Sequence, residues 1–118
     1  MDLIDKFTGI GDYFAIKERE REKRRIEKLA KIKKLLENFL EENPEIEKLL
    51  IVGSLVREGA YHDLSDVDIA ISVKPKEKFW EIYGKLEELI PERIHIMDWE
   101  SLEENSRKFL EEYGLKLK

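Results

Sequence analysis

Cysteine is missing from the 118 residues, and so is glutamine. Without thiols the chain forms neither a disulfide nor a cysteine–zinc centre, a usage that points to a reducing cytoplasm. Long apolar runs are also lacking. No stretch approaches the ~20 residues that a membrane-spanning helix needs, and the N-terminus has no apolar signal core, so no membrane association is expected. An excess of positive charge is absent too: 22 Lys and Arg stand against 27 Asp and Glu, a net charge of −5, which argues against broad nucleic-acid affinity. There is no internal repeat and no Pro-rich or Gly/Ser-rich tract. What the chain has instead is charge in bulk, with 42% of residues Asp, Glu, Lys or Arg, beside an apolar share of 42%. That length and apolar share support one compact domain with a real core and little room for a second.

Along the chain, residues 1–14 carry Gly9, Gly11 and apolar residues without a clean period, and read as a loose arm or a short docking helix. From about Ala15 to Glu42 the spacing is helical, with Ile26, Leu29, Ile32, Leu36, Phe39 and Leu40 recurring at three- and four-residue steps. The first half of that stretch, Lys17 to Arg25, is almost entirely charged, as expected of a solvated helix held by pairs one turn apart. Its length makes it the element expected to project and meet a partner, while its apolar second half packs on a sheet. Asn43-Pro44 ends it. The division expected is an N-terminal arm and long charged helix over 1–43, followed by a mixed αβ domain over 44–118.

In that second part, Leu49 to Val52 reads as a buried strand, and Gly53 lets the backbone turn sharply before Ser54. A turn of this kind aims NH groups outward, where they can hold phosphate oxygens. Asp66, Val67, Asp68, Ile69, Ala70, Ile71 and Val73 form a second strand, whose period of two sends Asp66 and Asp68 to one face. Two carboxylates that close repel unless a cation lies between them, and magnesium typically takes one or two protein carboxylates together with substrate phosphates. Each half has an ordinary reading as a turn signal, but charges within an apolar strand are seldom placed without a partner. Further on, a helix over about Lys76 to Ile90 is expected to bury Phe79, Trp80, Tyr83, Leu86 and Leu89 or Ile90, with Trp80 and Tyr83 read as core rather than as a stacking platform. A strand near Arg93 to Met97 and a helix from about Glu100 to Tyr113 follow, the latter burying Leu102, Phe109, Leu110 and Tyr113. Leu115-Lys116-Leu117 reads as a short edge strand.

The set Gly53-Ser54, Arg57, Gly59 and Ser65-Asp66-Val67-Asp68-Ile69 resembles the signature of the polymerase-beta-type nucleotidyltransferase superfamily, and in particular its small prokaryotic branch, the minimal nucleotidyltransferases. The likeness covers roughly residues 46 to 117. It implies an α/β (α+β) nucleotidyltransferase fold, a small mixed β-sheet flanked by helices, here with a long N-terminal helix. It further implies ATP as substrate, Gly53 and Ser54 holding its triphosphate, Asp66 and Asp68 holding Mg2+ or Mn2+, and transfer of AMP to a hydroxyl. Arg57 matches the second of two basic positions that often follow Gly-Ser, the first being Leu55 here, and is open to phosphate binding, to a partner surface or to plain surface charge.

One position departs from the pattern. Where the family usually carries a third acid on a later strand, this chain has His95, which can be a metal ligand, a general base or a remnant in a site that no longer does chemistry. Asp98 cannot replace it without a bulge, and is read as a cap for the helix that follows, with Ser101 and Glu104 as an alternative capping box. His62 is read as a solvated loop residue. The small members of the family are often paired with a helical HEPN-type toxin, and the chain has no added domain to hold an acceptor. The resemblance therefore implies an antitoxin that transfers AMP to a hydroxyl on such a partner. The other reading is a weakened or inactive module that neutralises the partner by contact alone. Self-association into a homo-oligomer through the N-terminal helix is a further expectation.

Overall fold

The computed structural model describes residues 9–118. Of the arm expected over 1–14, residues 1–8 lie outside the described residues. Residues 9–14 are not an arm but the start of the long helix α1, Gly9–Glu42. At 34 residues it is about 51 Å long, and the molecule is correspondingly extended, 64 × 30 × 19 Å. Only the far half of α1 faces the core: Ile32, Leu36 and Phe39 are buried, one turn apart, whereas Ile26 is exposed. The helix ends where Asn43 Nδ2 donates to the Phe39 carbonyl at 2.9 Å, before Pro44.

Four strands follow: β1, Ile46–Val52; β2, Val67–Val73; β3, Ile94–Asp98; and β4, Leu115–Lys116. Their spatial order is β3-β2-β1-β4. β1 pairs antiparallel with β2 and with β4, while β2 and β3 run parallel, so the sheet is mixed. Parallel neighbours need a crossover, which α2, Phe79–Leu89, supplies. The two central strands are apolar on both faces because both faces are covered. One face joins Leu49, Ile51, Val67, Ile69 and Ile71 to α1 and α2, and the other joins Leu50, Val52 and Ala70 to Trp99, Met97, Leu102 and Leu110. The second covering is α3, Glu104–Tyr113, fastened to the sheet by Lys48 Nζ to Glu111 at 2.6 Å and by Arg107 donating to the carbonyls of Trp99 and Glu100, each at 3.0 Å.

Several expected details differ. The buried stripe of α2 is Phe79, Ile82 and Leu86, continued by Ile90 just past its end; Trp80 is 72% exposed and Tyr83 only half-buried. Aromatic size points Trp80 to the core, but Ile82, three residues after Phe79, takes the inward side of the helix. α3 keeps Phe109 and Tyr113 exposed, their rings 4.8 Å apart, because, of its own apolar residues, only Leu110 packs on the sheet. α3 begins at Glu104 without a side-chain cap, so the Ser101–Glu104 box does not form.

Candidate functional site

The register places side chains in rows across the sheet. Val52 pairs with Asp68 and Asp68 with His95; one step along, Leu50 pairs with Ala70 and Ala70 with Met97. Because successive side chains alternate faces, these two rows share the face that α3 covers only in part. The first row is the candidate site. Gly53, immediately after Val52, has φ +76°, and a Cβ there would collide with the Asp68 Oδ2 atom. Glycine is therefore needed twice at this position, for the left-handed backbone and for the close approach of the carboxylate. The chain then winds through a single 3-10 turn, Gly53–Val56, that buries Leu55.

Asp68 is hemmed in on both sides. His95 Nδ1 lies 3.4 Å from Asp68 Oδ1, and burial, assisted by the charge of Asp66, raises the Asp68 pKa despite the opposing pull of His95. Asp66 lies one residue before β2, which begins at Val67 and so starts a residue later than the strand expected from the sequence. Its Oδ1 accepts from Arg93 Nε at 2.9 Å. Gly53, Asp68, His95, Asp66 and Arg93 are thus gathered at one corner of the sheet, with Ser54 in the turn beside them.

Arg57 is exposed where the turn ends, and its backbone NH donates to the Ser54 carbonyl at 3.2 Å. Asp98 points elsewhere: its two oxygens accept from the Glu100 NH at 3.1 Å and the Ser101 hydroxyl at 3.2 Å, capping the turn Trp99–Ser101. His62 is exposed in the loop between the two motif halves.

Three residues of this neighbourhood have no site role in the sequence reading. Arg93 precedes His95 by two, so strand alternation alone could have put it on the same side. Glu22 and Arg25 had no such signal. They pair at 3.0 Å on α1, and Arg25 Nη1 donates to the Leu55 carbonyl at 2.9 Å while Glu22 Oε1 accepts from the Gly59 NH at 2.8 Å. Arg24 holds Asp63 at 2.8 Å. The charged stretch of α1 is therefore more than a solvated face, since it ties down the loop that joins the turn to Asp66.

Two carboxylates, one of them raised in pKa by burial and by the other's charge, are oxygen donors of the kind a hard divalent ion takes beside phosphate oxygens, whereas an imidazole suits borderline ions. Among the described residues no group of three His, Cys, Asp or Glu side chains is drawn together closely enough to hold an ion alone, so substrate oxygens would have to complete the shell.

A four-stranded mixed sheet carrying a glycine turn against an Asp-x-Asp strand defines the class as an α/β protein of nucleotidyltransferase type. The family model for polymerase beta nucleotidyltransferases matches residues 31–114, and the chain belongs to that family. The match begins inside α1, earlier than the likeness read from residue 46, in keeping with the place of Ile32, Leu36 and Phe39 in the core. Among solved structures, a crystal structure of the toxin–antitoxin pair MntA–HpeT bearing two Asp-to-Glu substitutions is similar at 23% identity, TM-score 0.53, over 76% of this chain and 72% of that one. At that identity the likeness speaks for the fold. A search of curated proteins finds no match. Among the described residues no helix is long and apolar enough to cross a membrane.

Proposed function

We propose that the chain is a metal-dependent adenylyltransferase that moves AMP from ATP to a hydroxyl on a partner protein, a HEPN-type toxin, and so acts as its antitoxin. The observation that carries this reading is the first row of the sheet, where the Gly53 turn, Asp68 and His95 meet. The triphosphate would lie on the NH groups of Gly53 and Ser54, with Arg57 within reach of the loop's outer side. Mg2+ or Mn2+ held by Asp66 and Asp68 would supply the positive charge that steadies the attacking and leaving oxygens of an in-line displacement. The acceptor oxygen forms a bond to the α-phosphorus, the bond to the β-phosphate side breaks, and pyrophosphate leaves. His95, with Nδ1 turned to Asp68, has Nε2 to take the hydroxyl proton.

The family membership supports the reaction class, and the toxin–antitoxin origin of the similar structure supports a protein acceptor. A surface for that partner is offered by the projecting end of α1, where Ile10, Tyr13 and Phe14 are exposed. A homo-oligomer would compete for the same surface, and light scattering of the chain alone separates the two uses. The lack of cysteine supports a cytoplasmic setting.

A second reading has an observation of its own. Arg93 already neutralises Asp66, and an imidazole stands in the place of a third acid, which favours a module that binds its partner without transferring anything. Labelled ATP incubated with magnesium or manganese and the HEPN-type protein distinguishes them. Transfer puts label on the partner and Asp66→Asn with Asp68→Asn abolishes it; an unlabelled partner that is still neutralised supports contact alone. His95→Asp is expected to raise magnesium-dependent transfer, and a fall would show that the imidazole itself is used.

A further inference from the structure

The second row of the sheet, Leu50, Ala70 and Met97, continues from Asp68 and His95 on the same face. α3 crosses over this row but is fastened beyond it, through Lys48–Glu111 and through Arg107 to Trp99 and Glu100. Between α3 and β3 a cavity of about 380 Å³ remains, lined by Met97, Leu102, Asn105, Ser106, Phe109 and Leu110. Its walls are apolar except for one amide and one hydroxyl, the lining usual for a small-molecule seat. Phe109, at its edge, is 49% exposed and open to a ligand.

We propose that this cavity seats the nucleobase of the bound nucleotide, with adenine favoured; the proposal rests on the reading that the Gly53 turn and the paired carboxylates hold the triphosphate end. Two residues along a strand span about 6.6 Å, so Met97 lies about a ribose length beyond His95. A base there has the Met97 thioether and Leu102 against one side and the Phe109 ring against the other, and sulfur and aromatic faces both suit a flat heterocycle. Asn105 presents an amide whose acceptor and donor match the N6 amino group and N7 of adenine as a pair, whereas guanine offers two acceptors on that edge and cannot satisfy both. The Ser106 hydroxyl supplies a further polar contact.

Calorimetric titration of the full chain in magnesium buffer with ATP, GTP and inorganic triphosphate tests this. ATP is expected to bind more tightly than triphosphate, Phe109→Ala to weaken ATP about tenfold, as loss of a stacking ring does, and to leave triphosphate binding unchanged. Asn105→Ala is expected to erase the preference for ATP over GTP. Met97 is one of two methionines, and its methyl resonance should move on addition of ATP but not of triphosphate. If ATP binds no better than triphosphate, or Phe109→Ala leaves ATP binding intact, the cavity serves something other than the base, such as the acceptor side chain, and the proposal is overturned while the phosphate site stands. If the wild-type chain binds neither ligand, the nucleotide reading fails and takes this proposal with it.

Discussion

Asp68 occupies a position that is uncomfortable for a carboxylate, half-buried beside Asp66 and against the Gly53 backbone. Its folded pKa is raised, chiefly by burial, so the folded protein holds that proton more tightly than the unfolded chain does. The stabilising effect of the proton is present at low pH and is lost as pH rises through the folded pKa. Asp68→Asn should therefore melt a few degrees higher than wild type at neutral pH, with the gap closing below the ordinary carboxylate range; thermal melts across pH check it, and a lower melting point at neutral pH would contradict it. At Gly53 the expectation runs the other way. Alanine there meets both the positive φ and the Asp68 carboxylate, so Gly53→Ala should cost about 1–2 kcal/mol and remove nucleotide binding, measurable by denaturant unfolding and by titration. The glycine and the two acids could be read from sequence because left-handed backbone and charge within an apolar strand each leave a residue-level mark. The ties of Arg93 to Asp66 and of Glu22 and Arg25 to the loop leave none in their own identity.

At the level of elements, α1 is one continuous helix with two environments. Leu36→Ala should cost about 2–5 kcal/mol by opening a cavity under the sheet, whereas Ile26→Ala, on an exposed position, should stay within ~0.5 kcal/mol; denaturant midpoints with an unchanged slope decide it. Glu22 has its carboxyl held below the usual range, first by the Arg25 hydrogen bond and then by the Gly59 NH. Glu22→Gln should speed hydrogen exchange at the Gly59 amide without lowering the melting point much, and unchanged exchange would mean that the loop is held elsewhere. Strand and helix types were legible from periodicity, and β1, α2 and β3 fall where the pattern put them within about three residues, as is usual for element ends. Which aromatics point inward was not. Trp80, Phe109 and Tyr113 sit at spacings that also fit a buried stripe, and only the way α2 and α3 are seated on the sheet decides that they face out.

Taken whole, the molecule is a compact sheet domain with a rod protruding from it. Ile10, Tyr13 and Phe14 lie on the rod and are exposed, so replacing Tyr13 and Phe14 with serine should leave the melting point unchanged while weakening association with a partner. A lower melting point would instead mean that this end packs on the body. The long-range arrangement was the least legible feature, because helical spacing in residues 15–42 sets the direction of the apolar stripe and says nothing about how much of the helix overhangs the sheet.

A stiff rod clamped at one end behaves as a lever. Its fulcrum is the buried turn-by-turn contact of Ile32, Leu36 and Phe39, and between fulcrum and free tip lie Glu22 and Arg25, joined to the Gly59 NH and the Leu55 carbonyl. Any torque that a docked protein exerts on the tip must be felt at those two backbone atoms, and through Leu55 at the bend that begins with Gly53.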